Sequence, residues 1–110
     1  MQDETILKSV KALIEAMQAE NAERIRAQFS ETATQAYGAD GTMKTAQETR
    51  KWLESDIINR QGKVANPQYA VINENQVVVK GQYSSHGYTN KADFLFTVDN
   101  GLITSWRMRY

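Results

Sequence analysis

The sequence predicts an α+β fold, with helices packed on one face of an antiparallel sheet. Three observations lead there. Up to Gly62, apolar residues recur at three- and four-residue steps. Beyond Gly62 the period becomes two. Near the end, Asp99-Asn100-Gly101 separates two apolar runs, the strongest short hairpin signal in the chain.

The elements follow in order. Ile6, Leu7, Val10, Leu13, Ile14 and Met17 form one apolar stripe of a first helix, with Asp3 or Thr5 as its N-cap. A second helix is expected over Ala22–Phe29, capped by Asn21, with Ile25 and Phe29 four residues apart. Thr32–Tyr37 reads as a short strand, and Gly38-Ala39-Asp40-Gly41 as a turn. Thr45 with Glu48 three residues later is a capping box for a third helix. Its buried face is Trp52, Leu53, Ile57 and Ile58, and Gly62 ends it. Pro67 is placed at a strand entrance, where its missing N–H does little harm. Tyr69–Ile72 is a strand and Asn73–Asn75 a turn. On the next strand Val77, Val79, Gly81, Tyr83 and Ser85 share a face, and His86–Asn90 is a hairpin tip. Two further strands flank Asp99–Gly101.

The chain's 110 residues are enough for one domain spanning 1–110, and no linker or repeat interrupts them. Basic and acidic residues number 13 each, which argues against a nucleic-acid partner. There is no cysteine and one histidine, so neither a metal nor a redox cofactor is expected. No run approaches the roughly 20 apolar residues of a membrane span. MQDETILKSV has no basic stretch leading into an apolar one, so a cytoplasmic protein is the default expectation.

Two helices with the second ending in Phe29, a strand "ETATQAYG", a helix near Thr45 and a meander ending "DNGLITSWRMRY" resemble the nuclear-transport-factor-2-like superfamily. That superfamily includes ketosteroid isomerases and SnoaL-type polyketide cyclases. The resemblance covers nearly the whole chain. It implies a curved antiparallel sheet wrapped as a cone around three N-terminal helices, with a pocket in the hollow. Carried over position by position, Asp93 falls on the protonated acid of the isomerases' oxyanion hole. Their general base falls on Tyr37, and their first-helix tyrosine on Leu13. With no carboxylate at the base position, steroid-type isomerisation is not expected.

Two registers suit the strand after Lys91. One turns Asp93, Leu95 and Thr97 inward and leaves Phe94, Phe96 and Val98 outside, where they would need cover from a second subunit. The other buries the phenylalanines and leaves Asp93 in solvent or paired with a lysine such as Lys91. The resemblance favours the first, and with it a homodimer on the outer sheet face. Trp106, Met108 and Tyr110 alternate with Ser105, Arg107 and Arg109, so the first set should face inward. A tyrosine such as Tyr37 is a good hydrogen-bond donor but a poor base at neutral pH. Asp40 sits in an ordinary turn and His86 in a solvated loop, which weakens both as acid–base groups.

Two functions follow. The first is a cofactor-independent small-molecule binder with an apolar pocket, as in an isomerase, cyclase or dehydratase of a small hydrophobic carbonyl or polyketide-like ligand. Asp93 and Tyr37 would be catalytic; Met17, Trp52, Tyr83, Trp106, Met108 and Tyr110 would line the pocket. The second is a non-catalytic dimerisation module whose cone is filled by its own side chains.

Overall fold

The computed structural model describes residues 2–109, with side chains from residue 4. Tyr110 therefore lies outside the described residues.

Helix α1 spans Gln2–Gln18 and so starts ahead of the expected caps. Its stripe is buried: Ile6, Val10, Leu13, Ile14 and Met17 are all 5% exposed or less. The helix closes with Glu20 in the left-handed region (φ 55°), the Glu20 N–H donating to Met17 and the Asn21 N–H to Ala16. This paired closure reverses the chain without glycine. Helix α2 is short, Ala22–Ala27, and Asn21 caps it by accepting from the Arg24 N–H. The expected extension to Phe29 is not formed. Phe29 instead begins strand β1 (Phe29–Tyr37), pairs with Ile103 and stacks on Trp106. Tertiary pairing outweighs the weak helical preference of one aromatic residue.

Helix α3, Ala46–Trp52, has the predicted capping box, with Thr45 and Glu48 exchanging hydrogen bonds at 2.9 and 3.1 Å. It continues as a π-helical segment, Leu53–Ile58. The close comes from Gln61 (φ 54°), with N–H groups of Gln61 and Gly62 returning to Ile58 and Ile57. Gly62 is thus one residue past the left-handed position.

Strands β2 (Lys63–Val71), β3 (Gln76–Ser85), β4 (Tyr88–Asp99) and β5 (Leu102–Met108) form the antiparallel meander. Strand β1 adds to β5 in parallel, giving the order β1-β5-β4-β3-β2. Pro67 lies within β2 rather than at its entrance, at a bulge beside Asn66 (φ 51°). Because β2 is an edge strand, the missing N–H costs no ladder bond and the bulge blunts the edge. Asn100 (φ 51°) and Gly101 (φ 78°) make the predicted tight β4–β5 turn. The Ser9 hydroxyl donates to the Gly101 carbonyl at 2.6 Å and ties α1 to it. The β3–β4 turn is tighter than expected: only His86 and Gly87 form it, and Tyr88 already pairs with Ser85.

The register of β4 corrects the favoured expectation. Phe94, Phe96 and Val98 are 0–2% exposed and point inward, while Asp93, Leu95 and Thr97 lie on the outer face. The apolar gain of burying two phenyl rings decides the register. Phe94 and Phe96 pack on Trp106 at 5.2 and 5.0 Å between centroids, and Trp52 meets the same indole at 5.1 Å. These rings, with Leu13 and Met17, fill the closed part of the hollow. The motive for a dimer on the outer face disappears with the inward turn of Phe94 and Phe96. No helix among the described residues is long and apolar enough to cross a membrane.

Candidate functional site

At the mouth of the hollow the rings stop short of closing it. A cavity of about 180 Å³ remains, walled by Trp52, Ile57 and Met108. Its rim is polar: Tyr37 from β1, Asp56 and Arg60 from the end of α3, and Tyr83, Ser85 and Tyr88 from the β3–β4 hairpin. Each side chain has a local reason to be there. The π-helical turn presents Asp56 on the same wall as Trp52, one turn earlier, and π-helical segments recur at functional sites. The Gly87 turn (φ 79°) folds Tyr88 back beside Tyr83, their rings 6.1 Å apart. Gly62 leaves the space that the Tyr83 hydroxyl occupies, since a Cβ there would lie 2.2 Å from that oxygen.

The polar groups are linked. Trp52 Nε1 donates to the Tyr37 hydroxyl at 2.6 Å, and that hydroxyl faces Asp56 Oδ2 at 3.5 Å. Ser55 donates to the other Asp56 oxygen at 3.0 Å. Burial raises the Tyr37 phenol above its ordinary pKa; the Trp52 bond pulls the other way and the Asp56 charge adds to the rise. Tyr83 is pushed up to about 12, chiefly by burial. Both phenols are therefore neutral donors at physiological pH. The loop behind Tyr37 is clasped from the outer face, where the Arg107 guanidinium donates to the carbonyls of Gly38, Ala39 and Gly41 at 2.8–3.2 Å. Lys44 lies over the Tyr37 ring at 4.5 Å and donates to the buried Gln35 side chain at 2.7 Å.

Among the expected site residues, Tyr37, Trp52, Tyr83 and Met108 meet at this cavity. Trp106 packs behind Trp52, and Met17 is buried in the core at 1% exposure; neither lines it. Asp93 is on the outer face, where Arg109 Nη2 and Nε donate to its Oδ1 at 3.0 and 3.1 Å. Of the two readings offered for it, the solvent-side ion pair is the one formed, with arginine rather than Lys91 as partner. Asp56, Arg60 and Tyr88 were not anticipated. The spacing Trp52, Asp56, Arg60 was a usable signal, since residues four apart share a helix face. Tyr88 was hidden by reading the hairpin tip three residues too long.

No family model matches the sequence, and no curated protein matches it. Solved structures do. An NTF2-like protein of unknown function from Cytophaga hutchinsonii superposes with a TM-score of 0.73 at 19% identity, over 93% of this chain and 86% of that one. A proposed polyketide cyclase from Xanthomonas campestris pv. campestris gives 0.78 at 15% identity, over 100% and 93%. A Mycobacterium tuberculosis protein, solved in complex with estradiol-17beta-hemisuccinate, gives 0.74 at 16% identity, over 96% and 93%. Identities this low speak to the backbone alone, and on that evidence the chain has the α+β fold of the nuclear-transport-factor-2-like proteins.

Proposed function

We propose that this protein binds a small, largely apolar organic molecule at the mouth of its cone. The observation that carries this is the cavity itself: apolar walls from Trp52, Ile57 and Met108 beneath a rim of hydroxyls, one carboxylate and one guanidinium. That combination of apolar lining and a few convergent polar groups is the usual form of a ligand site. The volume of about 180 Å³ sets the scale. Sites for drug-sized ligands run from about 300 Å³ upward. A body of roughly one ring fits; four fused rings do not. A steroid substrate is thus disfavoured by space as well as by Tyr37 in the base position.

The reaction classes expected of the fold are a cofactor-independent isomerase, cyclase or dehydratase acting beside a carbonyl. Here Asp56 would take the proton and Tyr37, held by Trp52, would donate to the developing oxyanion. Asp93 has no part in this, because it faces outward. The rival reading, a non-catalytic module with a filled cone, draws on the rings of Phe94, Phe96 and Trp106 that occupy the hollow's closed part.

Titration with cyclohexenone and small phenols, followed by tryptophan fluorescence, separates the two. Saturable quenching is expected because Trp52 forms a wall. Ser85→Phe, which plugs the rim, should weaken it at least tenfold while leaving the circular dichroism unchanged. A flat response of the wild type to every compound would favour the filled cone. Size and apolarity follow from the walls; the ligand's charge does not.

A further inference from the structure

If the mouth holds a small ligand, as proposed above, four aromatic rings and a carboxylate surround it. Tyr37 and Trp52 meet at 6.3 Å with an interplanar angle of 81°, and Tyr83 and Tyr88 at 6.1 Å and 59°. Rings set at such angles wall a space on several sides instead of stacking into one slab. The face of an aromatic ring carries negative potential and attracts a cation. One of these rings already does so, since the Lys44 ammonium sits 4.5 Å from the Tyr37 centroid. Lys44 is not a lining residue, and its ammonium is engaged by Gln35. Asp56 adds a full negative charge at the same mouth, close enough to act on the hydroxyls of both Tyr37 and Tyr83.

Several hydrogen-bond acceptors of the rim, by contrast, already have a donor. The Asp56 oxygens face Tyr37 and Ser55, the Tyr37 oxygen takes Trp52 Nε1, and the Tyr88 oxygen takes Asn90 Nδ2 at 3.1 Å. A primary ammonium would bring three N–H groups that need acceptors. A quaternary ammonium brings none, spreads its charge over methyl groups and suits both ring faces and apolar walls. Its head is also small enough for about 180 Å³.

We propose that the mouth pocket takes a small organic cation with a quaternary ammonium head, held by the rings of Tyr37, Trp52, Tyr83 and Tyr88 and by the Asp56 carboxylate. Arg60 is the opposing charge. It lines the same cavity but is exposed and has no ion pair among the described residues. It weakens the attraction without abolishing it.

The test compares choline, its neutral carbon isostere dimethylbutanol, benzoate and cyclohexenone on the full chain by isothermal titration. Choline should bind roughly tenfold tighter than the neutral alcohol. Asp56→Asn and Tyr88→Leu should each remove most of that preference, choline losing more affinity than the alcohol. Arg60→Gln should tighten choline and loosen benzoate, with the two neutral compounds unchanged. Alcohol or benzoate binding as tightly as choline would overturn the cation and leave the pocket intact. Equal choline binding by wild type, Asp56→Asn and Tyr88→Leu would place choline elsewhere and overturn the assignment. No binding by any of the four compounds would remove the pocket itself.

Discussion

The closed part of the cone and its mouth are built from the same strands but by different rules. Strand β4 passes through both. Its Phe94, Phe96 and Val98 are buried against other rings and α1, whereas Tyr88 to Lys91, at the other end, are exposed. In the closed part nearly every atom meets carbon, and Trp106 Nε1 is left without a hydrogen-bond partner. At the mouth, by contrast, the Tyr37 hydroxyl accepts from Trp52 Nε1 and faces Asp56, and the Tyr88 hydroxyl accepts from Asn90 Nδ2. The difference is one of cover. Where α1 lies over the sheet, side chains compete only on volume. Where α3 ends, they must satisfy polar groups as well, and a cavity survives.

The largest effect should come from breaking the closed part. Phe96 is fully buried against Phe94 and Trp106. Phe96→Glu would replace ring contacts with a buried, unpaired carboxylate, a change that belongs to the severe class of about 4–5 kcal/mol or more. Loss of the cooperative thermal transition is expected, whereas Tyr88→Leu at the mouth should shift stability by under about 1 kcal/mol. A Phe96→Glu protein that melts normally would restore the outward register and the dimer argument with it.

What could be read from the sequence follows the same division. The fold was legible: the α1 stripe, the Thr45–Glu48 capping box and the Asn100-Gly101 turn are local signals, and local physics sets them. The parity of β4 was not legible in itself. Both faces of "DFLFTV" carry an apolar residue, Leu95 on one and the phenylalanines on the other, so only the sheet's packing on α1 decides. The correct weight was there to be given, because two rings outweigh one leucine in buried area. That area, and not the position of Asp93 in the resemblance, sets the register. The mouth was half legible. Trp52, Tyr83 and Met108 follow from helix and strand parity, and Tyr37 from the resemblance. Asp56 and Arg60 follow Trp52 at four-residue steps, a spacing that pointed to one helix face; only the π-helical form of Leu53–Ile58 has no announcing residue in "LESDII".

A middle-sized effect should appear at the mouth on raising the pH. Tyr83 ionises near 10 in the unfolded chain and at about 12 in the folded one, burial being the main cause. Its folded pKa is raised, so the stability tied to the neutral phenol is fully present below pH 10. It is lost as the pH climbs toward 12, because only the unfolded state can ionise in that window. Tyr37 and Tyr69 are raised for the same first reason and add to the slope. Denaturant unfolding across this range should show wild-type stability falling, and Tyr83→Phe should fall less steeply. Equal slopes would mean that the Tyr83 hydroxyl is solvated, and that the mouth is more open than the hydroxyl's place above Gly62 implies.

The smallest effect should be at Asp93, and its size separates outer face from hollow. An acid inside the cone would be costly to keep and valuable to a ligand. An acid on the outer face, about one-third exposed and paired with an equally exposed Arg109, should contribute about 0–1 kcal/mol. Lys80 lies opposite it on β3, so removing the charge leaves a cation surplus that salt can screen. Asp93→Asn should therefore melt within a few degrees of wild type, and the gap should narrow at high ionic strength. Binding of cyclohexenone or choline should not change, because no atom of Asp93 lines the cavity. A tenfold loss of binding in Asp93→Asn, with stability unchanged, would be the one result that moves this carboxylate back into the site. The Arg109 pair makes a structural consequence the expected one: without it, the end of β5 keeps its Arg109 N–H bond to the Asp93 carbonyl at 2.8 Å, and the strand holds.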